Sequence, residues 1–188
     1  MRKLKLQMQI TLDGFVAGPE GQGDWIWANG IRDEVLFQKI IDMADSSDTI
    51  LLGRKMTPGF TSYWESVVDT KPDSVELPLA RLMVDTRKIA FSRTHSELPG
   101  RNLTVENGDL VAAVQALKQE PGKDILVYGG AGFVRSLINA DLIDEYYLIR
   151  CPIAIGAGMP IFEGRKLLKL ESSTAYASGK VVNKYARG

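Results

Sequence analysis

Hydrophobic residues alternate with polar ones through Leu4, Leu6, Met8 and Ile10, a period of two that predicts a β-strand. From Ile31 the period changes: Val35, Leu36, Ile40, Ile41 and Ala44 fall on one face of a helix over residues 31–45, with Asp33 and Glu34 in its first turn, where carboxylates complement the helix dipole. Short apolar runs at 49–52, 88–91 and 125–128 predict buried strands, because they are too brief for helices and end abruptly in glycine or polar residues. Residues 103–105 predict another strand. Asp109 caps a helix over Leu110, Val111, Val114 and Leu117 that Pro121-Gly122 ends, and residues 133–140 form one more. Residues 58–80 mix Pro58, Gly59, Phe60, Tyr63 and Trp64 with a polar stretch, which reads as a short helix and an exposed loop. Residues 144–155 read as a long strand interrupted at Pro152, and 175–177 with 181–185 as a closing hairpin around Ser178-Gly179-Lys180. Strands alternating with helices, with no repeat or linker, predict one α/β domain over residues 1–188 with a largely parallel sheet.

Composition narrows the partners. With 23 Lys plus Arg against 23 Asp plus Glu in 188 residues, no global field recruits nucleic acid or an anionic membrane, so any anion site is local. Arg2, Lys3 and Lys5 lead into an alternating strand rather than a signal-peptide core, and no apolar run approaches membrane-spanning length. The single cysteine, Cys151, excludes an internal disulfide or a cysteine zinc cluster and reads as a small core residue, with a reducing cytoplasm as its natural compartment. His95 stands alone in a loop, so no metal site is expected.

The chemistry gathers where strands stop. Gly53-Arg54-Lys55 and Ser92-Arg93-Thr94 each follow a predicted strand, and Gly129-Gly130-Ala131-Gly132 follows a third, leading into Phe133 and Val134. The glycines let backbone approach a ligand closely, and the first N–H groups of the following helix have no internal partner, so a pyrophosphate fits there. Their spacing is neither the six-residue dinucleotide fingerprint nor a P-loop, and a plain tight turn is the competing reading. Ligands of parallel sheets bind beyond the carboxyl ends of strands. A ligand with one phosphate monoester and one pyrophosphate, such as NADPH, would satisfy all three ends. Asp13-Gly14 reads either as a turn or as a functional strand end. Trp25 and Trp27 beside a glycine-rich loop read as a wall for a flat ligand or as core.

In order along the chain, Thr11-Leu-Asp-Gly-Phe-Val-Ala-Gly, Ile50-Leu-Leu-Gly-Arg-Lys-Met, Ile89-Ala-Phe-Ser-Arg-Thr, Val127-Tyr-Gly-Gly-Ala-Gly and Pro152-Ile-Ala-Ile-Gly-Ala-Gly-Met-Pro-Ile-Phe resemble the dihydrofolate reductase superfamily. Within it they look most like the branch related to the reductase domain of riboflavin biosynthesis. The resemblance spans nearly the whole chain. It implies a dihydrofolate-reductase-like mixed, mostly parallel sheet flanked by helices with a C-terminal antiparallel hairpin, NADPH as hydride donor, and a homodimer. It implies a cofactor site of Gly53, Arg54, Lys55, Met56, Ser92, Arg93, Gly129, Gly130, Ala131, Gly132, Phe133 and Val134, with Val16 and Ala17 bordering the nicotinamide. Asp13 and Asp33 become the candidate catalytic acids, and Asp24, Trp25 and Glu34 the candidate substrate contacts. Met56 departs from the threonine usual after Gly-Arg-Lys, so a hydroxyl contact to pyrophosphate is lost, and only the backbone N–H or Thr57 could replace it. Asp24, Asp33 and Glu34 compete for the position of the acid that protonates folate, which argues against folate itself. The leading expectation is an NADPH-dependent reductase of a small, flat heteroaromatic or carbonyl substrate. Its alternatives are a 5-amino-6-(5-phosphoribosylamino)uracil reductase, disfavoured because the sequence carries no deaminase segment, and a non-catalytic nucleotide- or ligand-binding protein that keeps the cofactor cleft.

Overall fold

A computed structural model describes residues 1–28 and 30–188. Its elements run β1 (Leu4–Ile10), a 3-10 turn (Asp24–Trp27), α1 (Glu34–Asp45), β2 (Ser47–Gly53), α2 (Thr57–Thr70), α3 (Leu77–Asp85), β3 (Arg87–Phe91), β4 (Leu103–Glu106), α4 (Leu110–Gln119), β5 (Asp124–Gly129), α5 (Ala131–Asn139), β6 (Glu145–Arg150), β7 (Leu168–Ala175) and β8 (Val181–Arg187). One eight-stranded sheet takes the order β4-β3-β2-β5-β1-β6-β8-β7. Pairing is parallel from β4 to β6 and antiparallel from β6 through β8 to β7. Among the described residues no helix is long and apolar enough to cross a membrane.

Alternation along β2 shows how the sheet divides the core. Leu51 joins Leu6, Val127, Val114 and Val134 on the face covered by α4 and α5. Ile50 and Leu52 join Ala44, Phe60, Leu79 and Met83 on the face covered by α1, α2 and α3. All three β2 side chains are buried, each stabilising the fold by roughly 1.5–3 kcal/mol relative to exposure. With both faces covered, the carboxyl ends of β1, β2, β3 and β5 are left as the place where a ligand can enter.

Three predicted elements are corrected. Residues 58–80 hold most of a 14-residue helix, α2, and the start of α3, not a short helix and a loop. Proline breaks helix interiors, yet Pro58 and Pro78 each lie within the first two positions of their helices, where the missing N–H costs nothing. The long strand ends at Arg150, because Cys151 closes a tight turn with Ile153 and Pro152 has no N–H for the ladder. The first strand of the hairpin occupies Leu168–Ala175 rather than 175–177; almost every residue of β7 is exposed, so it shows no apolar alternation. Two helix starts also shift. Asp33 is the N-cap of α1 rather than part of its first turn, and α5 begins at Ala131, immediately after the glycine pair.

Candidate active site

The ends of β2, β3 and β5 meet. Gly53 pairs with Phe91 across β2 and β3, Leu52 pairs with Gly129 across β2 and β5, and Arg54 donates its N–H to the Phe91 carbonyl at 3.2 Å. The Phe91 and Phe133 rings stack with centroids 5.0 Å apart, tying β3 to the first turn of α5. No side chain fits at two of the glycines. A Cβ on Gly53 would lie 2.7 Å from Phe133 Cβ and 3.2 Å from Gly130 N, and Gly129, at φ +139°, would press on Met56 Sδ at 2.9 Å. The peptide between Gly129 and Gly130 is cis. Gly130 then caps α5 with no side chain to accept its first N–H groups, so Ala131, Gly132 and Phe133 present bare backbone donors, with Val134 buried behind them.

Around this cradle lie cations without partners. Arg54, Lys55 and Arg93 have no carboxylate within salt-bridge distance among the described residues, whereas Arg87, Arg101, Arg135 and Lys166 on the same molecule are paired. Ser92 is buried, and its hydroxyl oxygen accepts the N–H groups of His95 at 2.9 Å and Thr94 at 3.2 Å, which shapes the loop carrying Arg93. Asn107 braces that loop by donating to the Ser92 and His95 carbonyls. Met56 fills the space beside Gly129. Its N–H donates to the Gly53 carbonyl, and so does the buried Thr57 hydroxyl, at 3.1 Å. Neither expected substitute for the missing threonine contact is therefore free.

The segment after β1 forms the next wall. Val16 is buried in the core and donates to the Met159 carbonyl; Met159 in turn donates to Ala17. Asp13 holds this segment in place: Oδ1 accepts from the Thr11 hydroxyl, while Oδ2 accepts the N–H groups of Ile155 at 3.0 Å and Gly156 at 2.8 Å. The Thr11 hydroxyl first, then these backbone donors, hold its carboxyl below the usual carboxylate range. Asp33 is used similarly. It accepts from Leu36 N–H at 3.0 Å and Ser178 N–H at 3.0 Å, which also lower its pKa, and so it clamps α1 to the β7–β8 turn. Both candidate catalytic acids are thus ionised clamps with their oxygens occupied, a poor arrangement for a proton donor.

Between these clamps lies a cleft of about 190 Å³ lined by Trp25, Ile26, Ala28, Cys151, Pro152, Ile153 and Lys180. Trp25 is buried and donates its indole N–H to the Gln22 carbonyl, so its ring is fixed as a wall. Asp24 and Glu34 are exposed and do not line this cleft. Burial pushes the Cys151 thiol up, and its Sγ–H donates to Gln9 Oε1 at 3.2 Å. Gln9 and Lys180 were not singled out from the sequence. The signal was there: a central parallel strand covered on both faces ought to be apolar throughout, yet β1 carries Gln7 and Gln9. A larger depression of about 380 Å³ opens at the opposite end of the sheet beside Met1, Arg2 and Glu120, but Arg2 there is already paired with Asp48 and Glu120.

The sequence matches the RibD C-terminal domain family over residues 2–182. The chain belongs to that family. Its relatives include YyaP of Bacillus subtilis, an uncharacterized protein, 33% identical over 183 residues that cover 96% of this chain and 92% of YyaP. The riboflavin biosynthesis protein RibD of Corynebacterium ammoniagenes is 25% identical over 162 residues, 83% of this chain but 44% of its own length. Among solved structures, a Shewanella protein named for riboflavin biosynthesis superposes with a TM-score of 0.74 at 21% identity, covering 100% of this chain and 99% of that one. Acinetobacter baumannii RibD superposes at 0.73 with 16% identity, covering 100% of this chain and 58% of that one. These likenesses establish the expected fold, a dihydrofolate-reductase-like sheet with an antiparallel C-terminal pair.

Proposed function

We propose that the protein is an NADPH-dependent reductase of a small, flat heteroaromatic or carbonyl substrate. The observation that carries this reading is the set of unpaired cations, Arg54, Lys55 and Arg93, around the uncapped start of α5 and the glycines that no Cβ could occupy. An NADH site would want an acid for the ribose hydroxyls. Residues 53–55 and 92–94 contain none, and Glu106 on the flanking strand is turned to the Gly108 N–H at 2.6 Å. In this reading Arg54 and Arg93 bind the phosphate monoester, and the backbone of 130–133 binds the pyrophosphate. Val16 and Ala17 border the nicotinamide, and Trp25 covers the substrate ring. When bound, the nicotinamide supplies a hydride. Membership of a family that includes riboflavin-pathway proteins supports a reductase, and a structural neighbour from Thermotoga maritima is named as a 5-amino-6-(5-phosphoribosylamino)uracil reductase, whose substrate belongs to the class proposed.

The test is oxidation of NADPH against a panel of pterins, flavins, quinones and aldehydes; turnover of at least one is expected. A second reading, a binding protein that has lost the chemistry, is favoured by the occupied carboxylates of Asp13 and Asp33. It predicts NADPH binding with no turnover on any member. We also propose a homodimer. The edge strand β7 is largely exposed, carries the exposed Leu170 and follows the exposed Leu167, a surface that a second copy could cover.

A further inference from the structure

The turn between β7 and β8 carries a lysine that is poorly compensated. Lys180 is 5% exposed, and it is one of four buried cations among the described residues. The other three are satisfied. Arg2 is paired with Asp48 and Glu120, Lys118 with Asp144 at 2.6 Å, and Lys88 donates to the carbonyls of Met83, Val84 and Thr86 at 2.8, 2.7 and 2.7 Å. Lys180 has a long contact to Gln9 Oε1 at 3.4 Å and the face of the Trp27 ring, whose centroid is 5.0 Å from Nζ. No carboxylate lies within salt-bridge distance of it among the described residues. Burying a charge is costly unless an opposite charge or good hydrogen bonds replace the lost water.

Its surroundings suggest what would complete it. Among the described residues Lys180 is the one charged residue lining the 190 Å³ cleft, whose walls include Trp25, Ile26, Pro152 and Ile153. Flat apolar walls take a ring, and the ammonium takes an oxygen at the ring's edge. The turn is held firmly: Asp33 accepts the Ser178 N–H, Tyr176 donates to the Lys180 carbonyl at 2.9 Å, and Gly179, at φ +78°, sits against Pro152. Gln9 sits behind the lysine, its Oε1 taking both the Cys151 Sγ–H and the Lys180 ammonium, so this one neutral oxygen is shared between two donors.

We propose that Lys180 anchors the substrate, which is a planar ring bearing an anionic oxygen. The proposal rests on the reductase reading for the word substrate, but its test needs neither NADPH nor turnover. Orotate, a planar ring with a carboxylate, and uracil, its uncharged parent, are titrated separately into the protein while tryptophan fluorescence reports binding. Wild type should bind orotate at least about tenfold tighter than uracil, the value of one charged hydrogen bond. Lys180→Met should abolish that preference by weakening orotate alone, and Lys180→Arg should keep most of it. A wild-type preference near one overturns the proposal whether or not either variant folds, and so does a Lys180→Met protein that folds and keeps the preference. Failure to oxidise NADPH on any substrate would instead strike the reductase reading and leave this binding result standing.

Discussion

The Asp13 carboxylate accepts the Gly156 N–H at 2.8 Å, locking the segment after β1 to the segment after β6. The segment after β6 lines the cleft with Cys151, Pro152 and Ile153. In Asp13→Asn the charge and one of the two acceptor oxygens are lost, so the lock weakens. Turnover should fall by about one to two orders of magnitude, the cost of ångström-scale misplacement of a reacting group. The NADPH dissociation constant should stay within about twofold, because the phosphate contacts proposed above belong to residues 53–55, 92–94 and 130–133. Steady-state kinetics beside direct titration separate the two quantities; equal losses in both would show that the lock serves the whole site.

Asp33 offers a pH signature. Hydrogen bonds from Leu36 and Ser178 lower its pKa in the folded protein below the unfolded value of 3.8. Stability from this group is therefore complete above the unfolded value and is lost as pH falls through the folded one. Asp33→Asn should be less stable than wild type at neutral pH, with the difference shrinking below pH 4 or so as the wild-type carboxylate protonates. Urea unfolding at several pH values checks this. If Asp33 were instead a catalytic acid titrating near neutrality, the difference would change between about pH 5 and 8.

The sequence made the cradle legible but not the roles of the acids. Strand ends at Gly53, Phe91 and Gly129 could be read because short apolar runs stop at glycine or at cations, and that punctuation is local. Whether Asp13 and Asp33 donate protons or accept backbone hydrogen bonds depends on Gly156 and Ser178, more than 140 residues away in the chain. No local pattern carries such a pairing. Strand β7 was nearly invisible for a related reason: its stability comes from the backbone ladder to β8, so its side chains show no buried face. Lys180 lay in what looked like an ordinary hairpin turn, and only the packing of that turn on Pro152 brings it to the cleft.

Two glycine substitutions separate the cradle from its surroundings. Gly53→Ala places a Cβ 2.7 Å from Phe133 Cβ, so the first turn of α5 must shift. Stability should fall by about 1–3 kcal/mol, as in overpacked cores, and NADPH binding should weaken with it. Gly59→Ala, in α2 with nothing within 4 Å of the new Cβ, should leave NADPH binding unchanged and add about 0.5–1 kcal/mol. Calorimetric titration and denaturant unfolding of both variants check the contrast; a Gly53→Ala protein with wild-type affinity would show that the cradle is not a binding surface.

The 2′-phosphate is the one group that distinguishes NADPH from NADH. Each charged hydrogen bond contributes roughly 1.5–3 kcal/mol, and a tenfold change in affinity is about 1.4 kcal/mol. Arg54→Ala and Arg93→Ala should each weaken NADPH by about one to two orders of magnitude and leave NADH nearly unchanged. The most direct measurement is the ratio of NADH to NADPH dissociation constants in the wild-type protein. A ratio of about ten or more that collapses in either arginine variant is the predicted result. A ratio near one in wild type would contradict it, because Arg54 and Arg93 would then be solvated surface charges.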